Sequence, residues 1–269
     1  MRSKLTLRDG RQLAYRQKGS QGPTVIFESG MTCDSTDWVA IQDRLAEQCP
    51  NVTTLIYDRA GLGQSDFAPI PKTRATITDD LAQLLSERNL PAPYVLVGHS
   101  FGGFLIKHYS HCWPEKVAAL VFVDGSDATF ESRTLAYRTD TQRAYWQSLS
   151  TRPDPDETEA ERQEQAAFYQ SLELDAAQPL KDGLYNAILV CDHLTSWFHP
   201  DTDPYFQFTE APESLLKRDN QTWIECHRDW LKDAPNAHFH VVENSTHAIH
   251  LDQEAVVLDE VVQAIKAVQ

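Results

Sequence analysis

The stretch YVLVGHSFGG, residues 94–103, decides how the chain is read. An apolar run, Tyr94–Val97, passes into a serine flanked by glycines, and FLIKHYS follows with helical character. A run with no polar face suits a strand covered on both sides, and the glycines permit a sharp turn into a closely packed helix. GHSFG satisfies the pattern G-x-S-x-G, which has mechanical meaning only where a strand turns into a helix. There the serine is held in a strained conformation with its hydroxyl presented. A glycine-rich turn without chemistry would use the same residues, so the rest of the chain must decide.

Outward from this stretch, similar apolar runs recur: TVIFES (24–29), VTTLIYD (52–58) and VAALVFVD (117–124). Helix-like segments lie between them, STDWVAIQDRLAEQ (35–48), TITDDLAQLLSERN (76–89) and GGFLIKHYSHCWPE (102–115). Strand and helix in alternation imply right-handed crossovers and a doubly wound, mostly parallel α/β sheet. The first residues read as a hairpin, SKLTLRD and RQLAYRQ around the turn signal Asp9-Gly10. After Asp124 the alternation pauses. Residues 128–203 read as a helical insertion, and residues 1–127 and 204–269 as the core. The sheet is expected to resume with PYFQFTE (204–210), for which NAILVCD (186–192) competes. A helix (220–234), the strand HFHVVE (238–243) and a last amphipathic helix (254–268) complete the pattern.

The net charge of −15 disfavours nucleic acid and anionic membranes as partners, because phosphates need Lys and Arg to neutralise them. The N-terminus lacks an apolar core of signal-peptide length, and no stretch has the length of a membrane span. Five cysteines are scattered without CxxC spacing, which argues against a disulfide framework and against a zinc site. Reduced thiols in a cytoplasmic protein are the expectation. No motif calls for a cofactor or a metal. DRAGLGQS (58–65) lacks both GxGxxG and G-K-[ST], so it is not a phosphate loop.

Four segments together resemble the α/β-hydrolase family: FESGMTCDSTDW after the third strand, YDRAGLGQSD after the fourth, VGHSFGG at the turn, and STHAIHLDQ near the C-terminus. They occur in the family's order and with its spacing, and the resemblance covers nearly the whole chain. It implies an eight-stranded sheet with a helical cap, where residues 128–203 would be the cap. It also implies that Ser100 is the nucleophile and His247 the base, with His250 as the rival. Relatives commonly carry glycine before the base; here it is Thr246. The acid is Asp124 if it ends strand six, as in some members. Glu210 or Glu213 would serve if it follows strand seven, and Asp127 and Asp219 stay open. Backbone N–H groups of Phe101 and Met31 would form the oxyanion hole.

The resemblance, with serine rather than aspartate at the turn, implies acyl transfer to water: hydrolysis of an ester, lactone or thioester. C–C bond hydrolysis, lyase or perhydrolase chemistry on the same three residues is the alternative, and a non-catalytic ligand-binding member is a further one. The partner is a small molecule. Met31, Trp38, Trp146 and Trp197 are the candidates for binding its apolar part.

Overall fold

A computed structural model describes residues 2–68, 71–151, 156–175, 178–193 and 212–269; at 145–147, 149–151 and 212 it describes the backbone alone. The hairpin forms as read. Strand β1 (Ser3–Thr6) pairs antiparallel with β2 (Gln12–Lys18), and Gly10 takes φ +90° in the turn, where a side chain would be strained. Six further strands follow: β3 (Thr24–Glu28), β4 (Thr53–Tyr57), β5 (Tyr94–His99), β6 (Val117–Val123), β7 (Tyr185–Cys191) and β8 (His238–Val242). Their order is β1-β2-β4-β3-β5-β6-β7-β8, with β3 to β8 parallel and β2 antiparallel to both its neighbours. This is the doubly wound, mostly parallel sheet that the alternation predicts. Every residue of β3, β4 and β5 is buried, as strands covered on both faces require.

Helices α1 (Val39–Gln48) and α9 (Glu254–Val268) pack on each other; α1 lies on β4 and α9 on β5, β6 and β7. Helix α2 (Arg74–Glu87), started by a Thr73–Thr76 capping box, packs on α3 (Phe101–Cys112), which lies on β3, β5 and β6. Between β6 and β7 come α4 (Phe130–Leu135), α5 (Asp140–Thr151) and α6 (Glu159–Asp175). Helix α6 touches α2 and α3. Helix α7 (Pro212–Asp229) packs on α4 and β7, and short α8 (Ile249–Asp252) precedes α9. Among the described residues no helix is long and apolar enough to cross a membrane.

The seventh strand corrects the sequence reading. It is Tyr185–Cys191, the competing run, and it fills the place between β6 and β8. The uninterrupted run AILVC suits burial on both faces, and all of 186–191 is buried. PYFQFTE lies outside the described residues. The helical insertion expected over 128–203 is therefore interrupted by a core strand at 185, and α4 to α6 all precede it.

The winding reverses between β3 and β5: β4 is laid down on one side of β3, then β5 on the other. Crevices at the carboxyl ends of strands form at such reversals, because the following loops diverge to opposite faces. Segment 29–32 after β3 and Ser100 after β5 both open onto this one. Leu189, fully buried in β7 and paired with Val123 and His240, tests the register. Leu189→Ala is expected to cost about 2–5 kcal/mol in urea denaturation. A loss below about 0.5 kcal/mol, typical of surface sites, would contradict this strand.

Candidate active site

Strand β5 ends at His99 and α3 begins at Phe101, so Ser100 alone makes the turn, at φ +51° and ψ −119°. A non-glycine residue held there costs about 1–3 kcal/mol and persists only if its surroundings over-determine it. Here Ser100 N–H donates to the Val123 carbonyl (3.3 Å), and the Ser100 carbonyl accepts from Gly103 N (2.9 Å) and Ser126 N (3.0 Å). The glycines allow close approach. A Cβ on Gly98 would lie 2.6 Å from the Gly102 carbonyl oxygen, and one on Gly102 would lie 2.5 Å from that of Glu28. Ser100 is thereby set at the N-terminus of a twelve-residue helix, where the helix dipole favours negative charge.

Asp124 follows β6 at φ +47° and is fully buried. His247 Nδ1 donates to its Oδ2 (2.6 Å); Trp223 Nε1 (2.8 Å) and Cys191 N (2.9 Å) donate to its Oδ1. Burial alone would push this carboxyl up. The hydrogen bond from His247, the charges of His247 and His227 and the Trp223 hydrogen bond outweigh burial and hold it below the ordinary value. Because Nδ1 carries the proton given to Asp124, Nε2 is the nitrogen with the lone pair. The other candidate acids are engaged elsewhere or outside the description. Asp127 accepts from Thr129 and Trp230, and Asp219 from Tyr137 and Arg138. Glu213 is exposed on the first turn of α7, and Glu210 lies outside the described residues.

The loop carrying His247 is fixed from both sides. Asp192, just past β7, accepts from Asn244 N and Ser245 N, and Asp252 accepts from the N–H and hydroxyl of Thr246 (2.7 and 2.6 Å). Thr246 thus supplies a hydrogen bond that glycine could not. Neither ring nitrogen of His250, the rival base, bonds a carboxylate among the described residues. It stacks on Trp38 (4.6 Å) and touches His99 (4.4 Å), and burial, with the charge of His247, pushes its pKa down to about 4. His99 packs against His247 and donates from Nε2 to the His247 carbonyl (2.9 Å). Burial holds it well below the ordinary histidine value, so it stays neutral.

Met31 lies just beyond β3, and among the described residues nothing accepts from its N–H. Phe101 is the first residue of α3, so its N–H has no intrahelical acceptor. The segment around Met31 is held by charges that sequence reasoning left unassigned. Arg59, in the DRAGLGQS loop, donates to the carbonyls of Ser29 (2.7 Å) and Gly30 (2.5 Å), to Glu28 (2.8 Å) and, through Nε, to Glu164 of α6 (2.6 Å). Glu164 also accepts from Thr32 N (2.8 Å) and lies 3.6 Å from Lys72 Nζ. Burial would raise the Glu164 carboxyl, but the charge and hydrogen bonds of Arg59 hold it low. One helix of the insertion is thus tied to the loop beside Ser100.

The apolar candidates separate. Met31 and Phe101 share a small cluster with Phe104, Leu105, Ala167, Phe168 and Leu172, between α3 and α6. Trp38 does not join it. It is fully buried between Phe27 and His250 on the other side, so its expected role in substrate binding is corrected to core packing. Trp197 and the Trp146 side chain lie outside the described residues.

A family model described as the alpha/beta hydrolase family matches residues 25–260. Lipase LipV of Mycobacterium tuberculosis is 35% identical over 122 residues, 45% of this chain and 44% of that protein. The mitochondrial palmitoyl-protein thioesterase ABHD10 of Rattus norvegicus is 30% identical over 133 residues, 45% of this chain and 41% of that one. The chain spans less than half the length of the curated relatives it matches. An esterase from Exiguobacterium antarcticum superposes with TM-score 0.65 at 14% identity, over 99% of this chain and 100% of its own, a likeness of fold.

Glu164→Gln removes one of the two buried counter-charges of Arg59, Glu28 being the other, and is expected to cost about 3 kcal/mol in urea denaturation at pH 7. Because folding lowers the Glu164 pKa, its contribution is complete above the ordinary glutamate value of 4.5 and fades as pH falls through the lower folded value. The difference between wild type and Glu164→Gln should therefore shrink below that pH. A constant difference down to acid unfolding would show that charge is not the cause.

Proposed function

The chain belongs to the alpha/beta hydrolase family, and from that premise we propose that it is a serine hydrolase. Its substrate is a carboxylic ester, lactone or thioester with a small to medium apolar part. The observation that carries the reading is the 2.6 Å hydrogen bond from His247 Nδ1 to buried Asp124, beside a serine strained onto the turn of the neighbouring strand.

His247 Nε2 takes the Ser100 proton as Oγ attacks the carbonyl carbon. The carbonyl oxygen becomes an oxyanion facing the N–H groups of Phe101 and Met31, each worth roughly 3 kcal/mol of barrier. The imidazolium then gives its proton to the leaving oxygen or sulfur, leaving an acyl-enzyme. Water, deprotonated by the same nitrogen, attacks the acyl carbon and regenerates Ser100. Asp124 keeps its charge throughout, holding the ring and stabilising the imidazolium. Its low pKa suits that role, since a protonated acid would not.

The apolar preference is supported by Met31 and Phe168, partly buried side chains that pack on the buried Phe101 and Phe104. Similarity to proteins named as a lipase, a thioesterase and an esterase agrees with acyl chemistry.

A fluorophosphonate probe followed by mass spectrometry should place one adduct on Ser100 and none on Ser100→Ala. An unlabelled native protein would sink the nucleophile and favour a ligand-binding role. Labelling without turnover of p-nitrophenyl ester, thioester or lactone substrates would move the reaction to C–C bond cleavage or perhydrolysis. Asp124→Asn should lower kcat by about 10⁴-fold with little change in KM. A loss under about tenfold would remove Asp124 from the mechanism.

A further inference from the structure

A second cluster of chemistry-bearing side chains lies on the sheet's edge, apart from Ser100. Strand β8 is the last in the order, and His238 and His240, two residues apart, point to the same face. Both are exposed. Against them stands Glu260 of α9, only 6% exposed. His238 Nδ1 is 3.3 Å from Glu260 Oε1, and His240 Nε2 is 3.5 Å from Oε2. One ligand atom from each of the three residues falls within 4.8 Å of the others.

Two features set this trio apart from a solvated surface group. The first is charge. A buried carboxylate needs a cationic partner, yet among the described residues no Lys or Arg lies within ion-pair distance of Glu260. What faces it is two imidazoles and the Tyr185 hydroxyl, which donates to Oε1 (2.5 Å) and also lies 2.9 Å from His238 Nδ1, a contact an ion would replace. The second is geometry. One ligand atom of each residue lies within 4.8 Å of the other two, close enough for side-chain rotation to bring all three around one ion at zinc's bond lengths of about 2.0–2.2 Å. Two imidazoles and one carboxylate are a donor set suited to zinc, and a hydroxyl bonded to the ligating carboxylate gives it outer support.

We propose that His238, His240 and Glu260 form a binding site for a divalent ion of the zinc type, with Tyr185 orienting the carboxylate. The site begins at the first residue of β8, whereas Ser100, Asp124 and His247 follow the carboxyl ends of their strands. The ion is therefore outside the hydrolytic chemistry. It ties the edge strand to the C-terminal helix.

The test is calorimetric titration of zinc chloride into the full chain stripped of metal with chelator, with thermal unfolding in parallel. One ion per chain, a raised Tm and no response to magnesium are expected. His238→Ala and His240→Ala, exposed positions whose folding is checked by circular dichroism, should each weaken binding by about tenfold or more. Their ester turnover without zinc should match wild type. Absence of heat and of a Tm shift at millimolar zinc would overturn the proposal. Binding that survives unchanged in the double variant would overturn it too, by moving the ion to other ligands.

Discussion

Gly102 meets the Glu28 carbonyl so closely that a Cβ would stand 2.5 Å from its oxygen. The rest of the carboxyl face depends on this approach. Helix α3 starts directly over the end of β3, so the first N–H of the helix and the segment after β3 face one crevice. The same approach leaves no room for a gradual turn, and Ser100 absorbs the whole change of direction at positive φ. Hydrogen bonds from neighbouring strands hold that strain. The Val123 carbonyl from β6 and Ser126 beyond it both engage Ser100, so the turn is determined by the sheet as much as by its own residues.

Around this turn, buried charges are few and each is answered. Asp124 takes donors from three separate elements, and its low pKa follows from those donors overcoming burial. Arg59 is satisfied by Glu28, Glu164 and two carbonyls, and so fixes a loop, a strand end and a helix of the insertion at one point. The cost of removing a charge from water explains the pattern: a partner missing from either group would leave an unpaired ion in a dry site. The histidines beside His247 follow the opposite course. His99 and His250 stay neutral because burial and the charge of His247 disfavour a second cation.

Ser100 was legible because an apolar strand, a glycine-flanked turn and a helix mark it, whereas His247 and the choice of Asp124 among several carboxylates rested on the family resemblance until the fold brought the two together. The hairpin, the alternation and the closing helix were legible from local pattern, as Ser100 was. The seventh strand was not. Residues 186–192 and 204–210 both meet the local requirements of a strand, and only the place between β6 and β8 chooses. Trp38 shows the same limit: an aromatic near a candidate site reads alike whether it faces a substrate or the core, and here it faces Phe27 and His250.

Glu164 and Trp223 lay beyond any local signal. One is an acid in an acidic helix, the other an aromatic in an amphipathic one, and helical periodicity says nothing about a partner 105 or 99 residues away. The sequence by itself determined the sheet's class and the placement of Ser100 on a sharp strand-to-helix turn, since these follow from hydrophobic pattern and from the glycines that flank the serine. The tertiary structure alone decided which run became β7, which carboxylate faces His247 and which acid of the insertion neutralises Arg59. Those choices rest on burial and on the approach of distant charges, and neither exists until the chain has folded.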